Sequence, residues 1–194
     1  MFLLNEPSEE MVASFLAAQQ NNAFSYSETG ASLDGAPHGY TVDHNRVRLG
    51  TGETAFAQAK AAIQSWKMFD LGWCRVYPPD AAIEIGTNVV IVISHFGFWS
   101  LNSCRIVYLL ETHDGLHKYG FAYGTLAEHG ATGEERFTVE WNGEDESVWY
   151  DLYAFSRPHH LLAKIGYPLS RMLQKRFARE SQMAMLNAVE NACI

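Results

Sequence analysis

Ser156-Arg157-Pro158-His159-His160 opens a run that stays periodic as far as Asn191. Leu162, Ile165, Leu169, Leu173, Phe177, Ala184 and Ala188 recur at helical spacing and form one apolar stripe. Arg171, Lys175 and Arg179 fall about half a turn away from it. Pro168 suits the first position of a helix, where a missing N–H costs nothing. Leu161 to Ile165 then reads as a short preceding turn. From Pro168 to Asn191 the helix would run roughly 36 Å, at about 1.5 Å per residue. A helix of that length with one greasy face needs a broad apolar partner.

The residues upstream supply it. Gly39 to Leu49 reads as a strand with Val42, His44, Arg46 and Arg48 on one face. A helix follows from Thr51 through Trp66, carried by Phe56, Ala59, Ile63 and Trp66. Six strand signals then succeed one another: 72–77, 88–96, 104–111, 119–126, 135–141 and 147–155. Val89-Val90-Ile91-Val92-Ile93 is apolar on both faces, whereas Glu135 to Trp141 sets Phe137, Val139 and Trp141 against Arg136, Thr138 and Glu140. Gly97-Phe98-Trp99-Ser100, His113-Asp114-Gly115 and Asn142-Gly143-Glu144-Asp145 separate strands as turns. Short connections make such a series an antiparallel meander, and a sheet of that size curls. The expected fold is α+β: a curved antiparallel sheet of about seven strands gripping a long C-terminal helix. Ahead of it, Ser8 caps a short helix with Glu9 and Glu10 in its first turn. Residues 1–36 read as an N-terminal helix and loop extension, and 37–194 as a single domain.

Composition is that of a globular chain, 47% hydrophobic and 19% charged over 194 residues. A net charge of −8 argues against nucleic acid as a partner. The charge is uneven, −12 over residues 1–156 and +4 over 157–194, so the basic C-terminal helix is a possible contact for a protein partner. Cys74, Cys104 and Cys193 are odd in number and lack metal or redox spacing, which suggests free thiols in a reducing compartment. No apolar run approaches the roughly 20 residues of a membrane span, and Met1 to Leu4 lacks the basic flank of a signal peptide. A cytoplasmic protein without integral membrane association is expected.

Several strings carry a resemblance. They are Gly39-Tyr40 with Arg46-Val47-Arg48-Leu49-Gly50, Met68-Phe69-Asp70-Leu71-Gly72-Trp73 with Val76-Tyr77-Pro78-Pro79, and Asn102-Ser103-Cys104-Arg105-Ile106-Val107-Tyr108. Phe121-Ala122-Tyr123-Gly124-Thr125-Leu126, Gly133-Glu134-Glu135-Arg136-Phe137, Trp149-Tyr150-Asp151 and Phe155-Ser156-Arg157-Pro158 continue the pattern. Together they resemble the bacterial and plant family of domain of unknown function nineteen-ninety, from about Phe24 to Val189. The resemblance implies an intracellular single-domain protein and assigns no catalytic residue. Separately, the element order resembles the helix-grip layout of the Bet v 1/START-like superfamily, although the second short helix usual there after the first strand is not evident.

Chemical motifs are few. His113 and His117 flank an Asp-Gly turn rather than sharing a helix face, and His159-His160 would diverge, so neither pair suggests a metal site. No Gly-x-Ser-x-Gly elbow, Walker loop or Gly-x-Gly-x-x-Gly is present, and no cofactor is implied. Cys74 and Cys104 lie in apolar strands, where a thiol is inert. What remains is a set of polar and aromatic strand residues: His44, Arg46, Arg105, Tyr119, Phe121, Tyr123, Trp141, Tyr150, Asp151 and Tyr153. On inward faces these would line a pocket for a hydrophobic or amphipathic small molecule; on outward faces they are surface ion pairs and packing. Glu134 or Glu135 could pair with Arg105 or Arg46. Arg157 and His159-His160, following the last strand, should sit near the cavity mouth. The leading reading is a small-molecule binding protein rather than an enzyme. An acid–base enzyme using His44 or Asp151 in the same cavity, such as a cyclase, isomerase or hydrolase, is one alternative. A regulatory or interaction protein with a filled core is the other.

Overall fold

A computed structural model of the protein describes residues 1–113, 115–158 and 167–191. Among them, eight strands form one antiparallel sheet. They are β1 (Phe2–Leu3), β2 (Thr41–Thr51), β3 (Cys74–Tyr77), β4 (Asn88–His95), β5 (Phe98–Thr112), β6 (Leu116–Thr125), β7 (Ala131–Asn142) and β8 (Ser147–Pro158). The order across the sheet is β2-β8-β7-β6-β5-β4-β3, with β1 added to the start of β5. Helices α1 (Glu9–Ala18), α2 (Gly52–Gln64) and α3 (Tyr167–Asn191) complete the chain. The curved sheet grips α3 and α2 on its concave face, as the element order implies, and the fold is a helix grip.

Differences from the sequence reading are local and have physical causes. β5 starts at Phe98 rather than near Cys104. Phe96 and Gly97 both take positive φ, 53° and 79°, and close a two-residue hairpin whose twist lets the strands continue straight through it. In place of a second helix after α2 there is a single 3₁₀ turn at Lys67–Phe69, which buries Met68 and Phe69. β1 exists only by pairing with Trp99 and Ser100, a contact that no periodicity announces. The buried stripe of α3 runs through Ala178, Ser181, Met185 and Val189. Phe177, Ala184 and Ala188 flank it against the core, and Leu169 is exposed. The line of deepest burial therefore sits one residue over from the set that sequence favours, with Ala178, Met185 and Val189 in place of Phe177, Ala184 and Ala188. Leu162, Ile165, His159-His160 and Cys193 lie outside the described residues.

Both faces of the sheet are covered near β4. Val89 and Ile91 face the main core, while Val90 and Val92 meet Val12 and Phe15 of α1 on the convex side. This explains an apolar run without alternation. Ser8 caps α1 by accepting from the Met11 N–H at 3.2 Å. Tyr26 also lies on the convex face, against Gly124, where any Cβ would overlap its ring and hydroxyl. Gly124 thus makes room for the N-terminal segment.

Candidate functional site

The pleat of β6 and β7 decides what lies beneath α3. Tyr119, Phe121 and Tyr123 face inward on β6, and Glu135, Phe137, Val139 and Trp141 on β7. The register sets Tyr123 directly opposite Glu135, and the Tyr123 hydroxyl donates to Glu135 Oε2 at 2.6 Å. Deeper in, Phe121, Phe137, Tyr150 and Met185 fill the space completely. Nearer the N-terminal half of α3 the side chains shrink to Ala154, Ala178 and Gly133, and a cavity of about 160 Å³ remains. Phe69, Ile91, Ile93, Leu152 and Phe177 make its apolar walls. Glu135 and Tyr123 supply a polar end.

Burial dominates the electrostatics there. It pushes the Glu135 carboxyl up to about 7, against the opposing pull of the Tyr123 hydrogen bond, and the Asp43 charge adds to the rise. Glu135 is half-buried, because it borders the void. Burial and the adjacent Glu135 raise the Tyr123 phenol well above its ordinary value. Burial likewise raises the Cys74 and Cys104 thiols, so neither is an available thiolate. At the rim, Arg171 of α3 grips Asp43 of β2, with Nη2 to Oδ1 at 2.6 Å. Gln174 accepts from Arg171 at 2.8 Å and donates to Ser156 Oγ at 3.1 Å, tying the helix across the mouth. Trp73, also on the cavity wall, donates to Glu180 at 2.5 Å and pins the next turns of α3.

The ten residues singled out by sequence divide between the two faces. Tyr119, Phe121, Tyr123, Trp141 and Tyr150 point inward, and of these Tyr123 lines the cavity. Phe121 and Tyr150 belong to the filled core, where the Tyr150 hydroxyl meets Ser181 Oγ at 2.8 Å. Tyr119 lies under the Lys60 ammonium at 4.4 Å, and Trp141 stacks on His117 at 4.8 Å. His44, Arg46, Arg105, Asp151 and Tyr153 face the convex side. There His44 meets Asp151 at 2.6 Å, and Asp151 accepts from Arg136 at 3.1 Å over the Tyr153 ring. Arg46 and Lys118 share Glu140 at 2.6 and 2.7 Å. Arg105 donates to Asn88 at 2.7 Å and to the Gln20 carbonyl at 2.8 Å. Arg157 lies over Tyr40 at 4.5 Å.

Neither Glu134 nor Glu135 pairs with Arg105 or Arg46. Glu134 turns outward and holds the N-terminal segment, accepting from Tyr26 Oη at 2.5 Å, the Gly30 N–H at 2.8 Å, the Ser32 N–H at 3.0 Å and the Ser32 hydroxyl. Glu135 is not among the ten candidates and enters the sequence analysis only as a partner for Arg105 or Arg46. Its signal was present: it stands in phase with Phe137, Val139 and Trp141, a carboxylate on the apolar side of a strand. Among the described residues, no three histidine, cysteine or acidic side chains lie together as a metal site would need. Nor, among them, is any helix long and apolar enough to cross a membrane.

Residues 25–184 match the family described as Domain of unknown function (DUF1990). A UPF0548 protein of Dictyostelium discoideum is 34% identical over 97% of this chain and 96% of its own length. A UPF0548 protein of Deinococcus radiodurans is 38% identical over 97% and 98%. Among solved structures, a hypothetical protein of Helicobacter pylori aligns with TM-score 0.48 at 14% identity, over 87% of this chain and 94% of that one. Human STARD10 aligns with TM-score 0.45 at 11% identity, over 94% and 81%.

Proposed function

Given that the chain belongs to the DUF1990 family of unknown function, we propose that it binds a small hydrophobic or amphipathic molecule in the cavity between the sheet and α3. The observation that carries this reading is a largely apolar void with the hydrogen-bonded Glu135–Tyr123 pair at one end. A well-packed core leaves no such gap unfilled, because each missing contact costs stability. The volume suits a ligand built around one aromatic ring, since an apolar cavity of about 150 Å³ accepts a benzene-sized molecule. Burial would supply affinity, and Glu135 with Tyr123 would orient the ligand's polar end. The open void weighs against a core filled with side chains.

A second reading, acid–base catalysis in the same cavity, is favoured by Glu135 rather than by His44 or Asp151. The latter pair lies on the other face of the sheet, whereas a carboxyl pushed up to about 7 is poised to give and take protons near neutrality.

The test compares native and denatured mass spectra of freshly purified protein, together with fluorescence of an anilinonaphthalene dye. A discrete mass released on denaturation, or dye emission abolished by filling the void with Ala154→Trp, supports the binding reading. A clean apo mass with no dye response at all sinks it.

A further inference from the structure

Glu135 is an acid in a largely apolar cavity, and among the described residues no cation pairs with it. Its hydrogen-bonding partner is Tyr123, a neutral phenol at 2.6 Å. Among the described residues no lysine or arginine pairs with it. The charged and titratable groups around the cavity, besides Glu135, come from every packed element: Asp43 from β2, Arg171 from α3, Cys74 from β3, Tyr123 from β6, His129 from the connection after β6, and Glu134 of β7, whose carboxylate is held by Tyr26, Gly30 and Ser32. Arg171 is the fixed cation of the set, and it is committed to Asp43. Cys74 stays a thiol. The Nδ1 of His129 lies 3.0 Å from the Ala131 amide nitrogen. The interior therefore has the electrostatics of a carboxyl in want of a counter-charge. A buried carboxylate without one is costly, and an incoming cation removes that cost. The rings of Phe69, Phe177, Tyr123 and Trp73 border the same space, and aromatic faces attract cations.

We propose that the ligand is a small amine with an apolar body, its ammonium paired with the Glu135 carboxylate and its body against Phe69, Phe177 and Ile91. This rests on the reading of the cavity as a ligand site and adds the class of ligand. The same arrangement excludes fatty acids, phosphates and other anions. They would bring a second negative charge into a cavity whose arginine is already neutralised.

The test uses the full chain and three probes with one shared body: 3-phenylpropylamine, 3-phenylpropanol and 3-phenylpropanoate. Binding is measured by titration calorimetry at pH 8. The amine should bind at least tenfold tighter than the alcohol, and the carboxylate most weakly. Glu135→Gln keeps the shape and the neutral hydrogen-bonding capacity of the site. It should erase the preference for the amine, bringing amine and alcohol affinities within about twofold of each other. Equal affinity for amine and alcohol, or tightest binding of the carboxylate, overturns the amine assignment. So does silence from all three probes while the dye still binds; in each of these cases the cavity reading stands. Silence from probes and dye together removes both.

Discussion

Glu134 and Glu135 are consecutive residues of β7, and the pleat sends them to opposite faces. Glu134 meets four donors from Tyr26, Gly30 and Ser32 and is sealed at 2% exposure. Glu135 meets one donor, Tyr123, and borders a void. The first carboxylate is wholly engaged in structure: it is the point where the N-terminal segment is fastened to the sheet. The second is under-satisfied, and the surrounding protein tolerates that at a cost in stability. One buried acid is thus fully partnered within the chain, while its neighbour has a single partner and an open side, which is what makes it the anchor of the proposed ligand site. The convex face repeats the lesson, since His44, Asp151 and Arg136 form one ion-paired triad and Arg46, Glu140 and Lys118 another.

The contrast breaks or sharpens under three substitutions. The largest effect belongs to Glu134→Ala. It strands the Tyr26 hydroxyl and the Gly30 and Ser32 amides, and should cost about 3–5 kcal/mol in urea unfolding, the range for removing one partner of a buried charged network. A loss below about 1 kcal/mol would mean that the N-terminal segment is held by packing alone.

Glu135→Gln should do the opposite. Folded Glu135 keeps its proton up to about pH 7, while its ordinary value is 4.5. Between those limits the folded chain binds more protons than the unfolded one. The group's stabilising contribution is therefore full below about pH 4.5 and is lost as pH rises to about 7. Glutamine cannot ionise, so the variant should equal the natural protein at pH 4 and exceed it at pH 8, by up to about 3 kcal/mol at 1.36 kcal/mol per pKa unit. Thermal unfolding at both pH values checks the sign. Destabilisation at pH 8 would show that Glu135 is as well satisfied as its neighbour.

Tyr123→Phe is the mildest change. It removes the hydrogen bond that lowers the Glu135 value, so that value should climb further above 7, read by carbon-13 NMR titration of the carboxyl. The accompanying loss of stability at pH 8 should be about 1–2 kcal/mol. A downward move would mean that another donor reaches the carboxyl.

Much of the fold was legible because long periodic segments announce themselves. The repeat from Leu169 to Ala188 marks α3, and Phe137, Val139 and Trp141 mark an alternating strand whose inward face was correctly separable from Arg136, Thr138 and Glu140. Boundaries shifted where a local rule met a tertiary one, as at the Phe96-Gly97 hairpin. The site was harder to read. Tyr123 could be picked out because three aromatics alternate with small residues on β6. Its fellow candidates His44, Arg46, Arg105, Asp151 and Tyr153 are of the right residue types, but no pattern along β2, β5 or β8 says which face is covered. β8 is aromatic on both sides, with Trp149 and Tyr153 outward and Tyr150 inward, because α3 covers one face while the N-terminal segment and cation–π contacts occupy the other.

By itself the sequence determined the order and types of the long elements from α1 onward and the need for a long amphipathic helix to cover a curling meander. Those follow from side-chain periodicity and turn chemistry, which are local properties. Only the tertiary structure decided which carboxylate of the Glu134-Glu135 pair would be sealed and which would face a void. A one-residue change of register reverses every face of a strand, and register is set by partners far away in the chain: Tyr26 and Ser32 on one side, Tyr123 and α3 on the other.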